Sequence, residues 1–273
     1  VLGLFFCLGV VRCAAAQEPV CVEFPLVHGD HPRATVRLGG KTICLVVDTG
    51  ATVSAVDVRF RDTLGPELDQ IDASSNVTTT RVSRYACPEG SVGKLRLGLQ
   101  SMVCLDFGED GRSDGVDGLL GMDFLKRYCV DFDPEAGCLR FWFHMPAETA
   151  GHGTQLPLWY DDGRSPVLMA KIRDVGELRL IVDTGSNSAV SLSPTDERDV
   201  FPNGYGKSIP EVGWTIHGLI HNRCTRLPTL ALGRLESTNV LCKVSRGSAS
   251  MTTVGMDFIA QYRALFDFPN DTL

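Results

Sequence analysis

Long apolar runs are missing from this chain of 273 residues. Beyond Val11 no segment is apolar enough to cross a bilayer as a helix, and the run up to Val11 is itself too short to span one. Basic excess is missing too. The 26 Lys and Arg are outnumbered by 33 Asp and Glu, a net charge of −7, so there is no polybasic footprint and nucleic acid is not an expected partner. Histidine is scarce, six in all, and shows no paired spacing. None of the ten cysteines falls at a zinc-site spacing. Neither a metal nor another cofactor is expected. Long amphipathic helices are absent as well. Most segments are short, β-branched or aromatic, and interrupted by glycine, which reads as a mostly β chain.

What is there begins with a small-residue junction. Val1 to Val11 is apolar, and Ala14-Ala15-Ala16 before Gln17 fits a cleavage site. Residues 1–16 read as the tail of a secretory signal peptide whose start is not in the sequence, so the expected location is exported, secreted or periplasmic. The end of a membrane anchor is the alternative reading of the same residues. In an exported chain cysteine pairing is expected. Cys87 and Cys104 flank Lys94 to Leu97, Cys224 and Cys242 flank Leu230 to Leu232, and Cys129 and Cys138 flank the turn Asp133 to Gly137. One disulfide per lobe and one hairpin staple are the expectation, with free buried thiols as the alternative. Cys21 and Cys44 remain.

The strongest signal is a repeat. Leu45-Val46-Val47 leads into Asp48-Thr49-Gly50-Ala51, and Leu180-Ile181-Val182 leads into Asp183-Thr184-Gly185-Ser186. Each is answered downstream, by Gly118-Leu119-Leu120-Gly121-Met122-Asp123-Phe124-Leu125 and by Thr252-Thr253-Val254-Gly255-Met256-Asp257-Phe258-Ile259. The spacing between the halves is kept to within one residue. A two-unit period of this length is a duplicated domain. The expected boundaries are 17–148 for the first lobe and 153–273 for the second, with the break near Met145 to Gly153. Gln155-Leu156-Pro157-Leu158 echoes Glu23-Phe24-Pro25-Leu26 at the start of each repeat. Ungapped alignment sets Ala264 to Asp267 on Val130 to Asp133 and Leu273 on Leu139, so the counterpart of Arg140 to Phe143 is expected to be a strand missing after Leu273.

Within each half, Ala34 to Leu38 and Val167 to Ile172 read as strands turning into the strand that ends at Asp-Thr-Gly. Helices are expected over Met122 to Tyr128 and over Pro194 to Val200, the latter with Ser193 as N-cap and proline at the first position. Asp123 and Asp257 read as helix N-caps. Asn76-Val77-Thr78 and Asn270-Asp271-Thr272 match glycosylation sequons, which carry meaning only in a eukaryote.

The doubled apolar-apolar-Asp-Thr-Gly-Ala/Ser phrase, each with a later apolar-apolar-Gly, resembles the retropepsin-like branch of the aspartic peptidases. The pair resembles a single-chain, pepsin-like bilobal enzyme, a bacterial-type aspartyl protease with two Asp-Thr-Gly repeats. The resemblance covers residues 20 to 273. It implies an all-β fold of two pseudo-twofold-related acid-protease-like β-barrel lobes with a few short helices. It implies an aspartic endopeptidase acting on a peptide or protein substrate, competent as a monomer. Asp48 and Asp183 would be the catalytic pair. Thr49 and Thr184 would brace the loops across the interface. Gly50 and Gly185 would let backbone approach the carboxylates. Gly121 and Gly255 would pass beneath the loops. Ser186 would hydrogen-bond an outer oxygen of its aspartate, which Ala51 cannot do. Flap hairpins are expected at 74–86 and 206–220, with Trp214 and Tyr85 as candidates over the pair, although each also reads as an ordinary packed aromatic.

Other readings of the same residues stay open. Asp before Thr-Gly is also good structural turn chemistry. Each half could act as a retropepsin-like unit pairing with another chain. The cleft could bind peptide or protein without cutting it. The less apolar Thr252-Thr253-Val254 suggests a looser second lobe.

Overall fold

A computed structural model describes residues 20–22, 31–74, 79–108, 115–147, 149, 152–161, 165–173, 175–204, 206–215, 218–245 and 251–273. The segment at 1–16, the echo at 23–26 and the sequon at 76–78 lie outside the described residues.

The chain is an all-β protein of two sheet-rich lobes. In the first, β1 is Val20–Val22, β2 Arg33–Leu38, β3 Lys41–Val47, β4 Ala55–Asp57, β5 Glu67–Ser74, β6 Thr79–Ala86, β7 Gly90–Val92, β8 Leu95–Arg96, β9 Ser101–Leu105 and β10 Gly118–Leu120. Helix α1 is Met122–Leu125, followed by β11, Cys129–Asp133, and β12, Cys138–Trp142. In the second, β13 is Trp159–Asp161, β14 Ser165–Ile172, β15 Gly176–Asp183 and β16 Val190–Leu192. Helix α2 is Pro194–Val200, then β17 Ile209–Thr215, β18 Gly218–Leu232, β19 Leu235–Ser245, β20 Thr253–Gly255, helix α3 Met256–Ile259 and β21 Ala264–Asp267.

The repeat in sequence is a repeat in topology. One sheet runs β5-β6-β9-β4-β10-β3-β2-β7-β8, the other β13-β14-β15-β20-β16-β19-β18-β17. In both, the strand ending at the aspartate lies parallel to the strand carrying the answering phrase: β3 beside β10, with Val47 opposite Leu120, and β15 beside β20, with Asp183 opposite Gly255. Burial explains their composition. Val36, Leu45, Val47, Leu120, Leu180, Val182 and Val254 are all buried, and strands covered on both faces read as unbroken apolar runs.

A third sheet, β1-β12-β11-β21, joins the lobes. Strand β11 pairs antiparallel with β21, and Asp131 stands opposite Leu265, its own counterpart in the repeat. The pseudo-twofold axis therefore passes through that pair. Phe132 and Phe266, also counterparts, meet edge-on across it with ring centroids 5.4 Å apart. Beside them the fully buried Asp131 receives Arg263 of the second lobe through Nε at 2.9 Å and Nη2 at 2.8 Å, and Arg140 through Nη1 at 3.2 Å. Arg140 also reaches Asp133 at 2.8 Å. Burial pushes the Asp133 carboxyl up, but the Arg140 hydrogen bond, the Ala136 N–H and the Arg263 charge hold it below its ordinary value.

Several expectations are corrected by this geometry. The expected cysteine pairs are not joined: Cys44, Cys87, Cys104, Cys129, Cys224 and Cys242 carry free thiols. Strand register accounts for it. On β11 and β12, Cys129 faces Trp142 and Cys138 faces Asp133, four residues apart and so about 13 Å along the ladder, beyond disulfide reach. Cys87 N–H pairs with Gln100 carbonyl, four residues from Cys104. Cys224 faces Lys243 while Cys242 faces Thr225, so the two thiols leave opposite faces of the sheet. Helix α1 is one turn, ending at Leu125 rather than Tyr128. Glycine, not aspartate, caps α1 and α3: the N-caps are Gly121 and Gly255. Helix α2 forms as expected, with the Ser193 hydroxyl accepting from Asp196 N–H.

The polar Thr252 and Thr253 lie inside the second lobe. Both are buried. Thr252 Oγ1 accepts from Ser193 N–H at 2.9 Å and bonds Asp196, tying the start of α2 to the strand below it. After β21 the chain turns back, and Leu273 exchanges hydrogen bonds with Leu156 at 2.7 and 2.9 Å. In the first lobe Val22 stands opposite Leu139, the counterpart of Leu273 in the repeat.

Candidate active site

Asp48 and Asp183 stand together at the ends of β3 and β15. How close they are is measured by the glycines. A Cβ on Gly50 would lie 2.6 Å from Asp183 Oδ1, and one on Gly185 2.6 Å from Asp48 Oδ1. Each loop's glycine thus faces the other lobe's carboxyl, a distance no side chain tolerates.

The loops are tied by a reciprocal exchange. Thr49 N–H donates to Thr184 Oγ1 at 3.0 Å and Thr184 N–H to Thr49 Oγ1 at 3.1 Å. Each hydroxyl then donates onward, Thr49 Oγ1 to Val182 carbonyl at 2.6 Å and Thr184 Oγ1 to Val47 carbonyl at 2.7 Å. Both threonines are fully buried. Beneath the loops, Gly121 and Gly255 pass so close that a Cβ would sit 2.7 Å from Ala51 carbonyl oxygen and 2.6 Å from Ser186 carbonyl oxygen. Met122 N–H and Met256 N–H donate to those same carbonyls at 2.8 Å. The answering phrases are therefore the floors on which the two loops rest.

The electrostatics are lopsided. Burial pushes the Asp48 carboxyl up from its ordinary value, opposed by the N–H groups of Ala51 and Gly50, by Asp183 and by the charge of His31. Gly50 and Ala51 donate to Asp48 Oδ1 at 2.8 and 3.0 Å. Burial pushes the Asp183 carboxyl well above its ordinary value, and the charge and hydrogen bond of Asp48 add to the rise. The N–H groups of Gly185 and Ser186 oppose it. Two adjacent buried carboxyls resist double ionisation, so the pair favours holding one proton between them, and both carboxyls are pushed up, Asp183 the more strongly.

Ser186 departs from expectation. Its contact with Asp183 runs through its backbone N–H. Its hydroxyl instead shares a 2.8 Å hydrogen bond with Ser188 and accepts from Ser188 N–H. Tyr85 is buried in the core with the Arg61 guanidinium 3.8 Å above its ring, as an ordinary packed aromatic. The side chain of Trp214 lies outside the described residues. The segments expected as flaps fall on two hairpins, β5–β6 and β17–β18, and among the described residues β5 and β17 each stand last in their sheets.

Two features escaped the sequence reading. Asp123 holds Ser54, accepting its hydroxyl at 2.6 Å and its N–H at 3.0 Å, while Ser54 Oγ accepts from Gly121 N–H. Burial pushes the Asp123 carboxyl up against these bonds. The other is His31, whose placement could have been counted from the sequence. The hairpin closing at Gly39-Gly40 sets Leu38 opposite Lys41 and Arg33 opposite Val46. The register continues to Pro32, whose carbonyl accepts from Val47 N–H, so counting one residue further leads from His31 to Asp48.

Comparison with known proteins agrees with this architecture. A family profile described as Aspartyl protease matches residues 34–124 and again 168–258, and the chain belongs to that family. Among solved structures, it is similar to a retropepsin-like aspartic protease from Rickettsia conorii, at 16% identity and a TM-score of 0.34, over 44% of this chain and 98% of that one. A comparison with curated proteins finds none that matches.

Proposed function

We propose that this protein is an aspartic endopeptidase whose single active site is built from both lobes of one chain. The observation that carries the reading is the pair itself: two buried carboxyls in a reciprocal cradle, both pushed up by burial. Amide hydrolysis by water needs a base and an acid placed together. Asp48, the ionised member, takes a proton from water held between the carboxyls. The resulting oxygen nucleophile attacks the scissile carbonyl carbon while Asp183 gives its proton to the carbonyl oxygen. Collapse of the tetrahedral intermediate expels the amine, which leaves with a proton from the pair. No acyl-enzyme forms. The outermost strands β5 and β17 suit an extended peptide, which adds to a sheet through main-chain hydrogen bonds.

Pairing of β11 with β21 and of Thr49 with Thr184 within one chain supports a monomer over a dimer of tandem units. The test is hydrolysis of an unfolded protein substrate over a wide dilution series. Constant activity per molecule is expected. Activity that collapses on dilution would favour pairing between chains, and peptide binding without hydrolysis at any pH would replace the enzyme with a binding module. Export remains a proposal resting on the apolar start and the alanine run.

A further inference from the structure

We infer that His31 is a positioning residue for the aspartate pair: its imidazole, set directly across the strand ladder from Asp48, keeps the shared negative charge on Asp48 and so leaves the shared proton on Asp183. The assignment rests on the aspartic peptidase reading above.

The geometry comes from the ladder. Arg33 pairs with Val46, and Val47 N–H donates to Pro32 carbonyl at 2.7 Å. Pro32 and Val47 therefore continue the register one residue past the paired strands, and a further step of the same register sets His31 across from Asp48, at a position of the non-hydrogen-bonded kind. Such pairs bring Cα atoms to about 4.5 Å with side chains on one face. On its far side Asp48 N–H is engaged by Leu120 carbonyl at 3.0 Å, so the carboxyl is fixed relative to the strand that faces His31.

The second lobe supplies the contrast. Val167 pairs with Ile181, and the same count places Ser165 opposite Asp183. Ser165 is buried and uncharged. Duplication therefore gives one aspartate a neighbour that can carry charge and the other a hydroxyl. Among the described residues, the face around His31 carries Arg33 on β2, Cys44 on β3 and Asp48 just past its end, with Asp117 beyond Cys44 and Asp183 across the interface. Arg33 acts on Cys44, whereas the cationic side chain acting on Asp48 is His31. The imidazole is the group in this set that gains its charge in mildly acidic solution, near about pH 6.5 in water.

The consequence is directional. While His31 is charged, Asp48 ionises more readily, and the acidic limb of the kcat/KM profile extends to lower pH. In His31→Gln the limb moves up by about one pH unit, the low end of what the loss of a neighbouring opposite charge gives. In His31→Lys, which keeps a positive charge, it stays near the wild-type position. A His31→Gln profile that superimposes on the wild type overturns the proposal, as does a His31→Lys profile shifted like His31→Gln. A second arm needs no catalysis. The imidazole resonance that disappears in His31→Gln is followed by NMR in the wild type and in Asp48→Asn. Its midpoint falls by about one pH unit in Asp48→Asn. An unchanged midpoint overturns the proposal, while a shifted midpoint in a protein that cuts nothing would leave the pairing standing and remove only the peptidase reading.

Discussion

Thr49 and Thr184 are each the other's hydrogen-bond donor and acceptor. Each backbone N–H serves the other's hydroxyl, and each hydroxyl serves the strand that delivers the other's aspartate. Two lobes that share such a link cannot move their carboxyls independently. Thr49→Ala removes two of these bonds and leaves the Val182 carbonyl and the Thr184 N–H buried without them. A loss of about 2–3 kcal/mol in unfolding free energy is expected, with Thr49→Ser restoring most of it. Denaturant unfolding of the three proteins checks this.

Gly185→Ala places a methyl group against Asp48. The backbone there needs no left-handed conformation, so the cost falls on the geometry of the pair. Hydrolysis is expected to drop by at least about a hundredfold, the scale of a displacement of about 1 Å, with the circular dichroism spectrum unchanged. A variant with near-native turnover would show that the carboxyls have room that the structure denies them.

The raised Asp183 carboxyl bears on stability as well as on catalysis. A carboxyl that holds its proton more tightly when folded than when unfolded leaves the folded state with the extra proton. Stability then falls as pH rises from the ordinary carboxylate value through the raised one. Asp183→Asn removes that penalty. Its melting temperature is expected to exceed that of the wild type at pH 7, and the advantage to vanish below about pH 3.8, where both states are protonated. Thermal scans at the two pH values measure the difference.

Thiol titration of the unreduced, denatured protein tests the cysteine arrangement. Cys87, Cys104, Cys129, Cys224 and Cys242 are expected to react as free thiols. Burial pushes the thiols of Cys87, Cys129 and Cys242 up to about 12, so in the folded protein they should react slowly.

The cysteines also mark where the sequence stopped being readable. Their spacing matched between the halves, but pairing depends on strand register, and a shift of one residue turns a side chain to the other face. Asp48, Asp183 and the four site glycines were legible because they are written twice in one frame. Asp123 was visible in the same repeat, yet its work for Ser54 was hidden, because the second half has Ala189 where the first has Ser54. The bond from Asp131 to Arg263 is long-range and has no repeat to announce it. His31 lay between these cases. Its strand and its turn were both read correctly, and counting outward from Gly39-Gly40 leads to Asp48.

Cleavage of an unfolded protein substrate from pH 3 to 7, by the wild type beside Asp48→Asn and Asp183→Asn, tests the central claim most directly. The account predicts new peptide termini with the wild type and none with either variant, all three proteins being folded. Hydrolysis that persists in either variant would contradict it, as would a folded wild type that cuts nothing across the whole range.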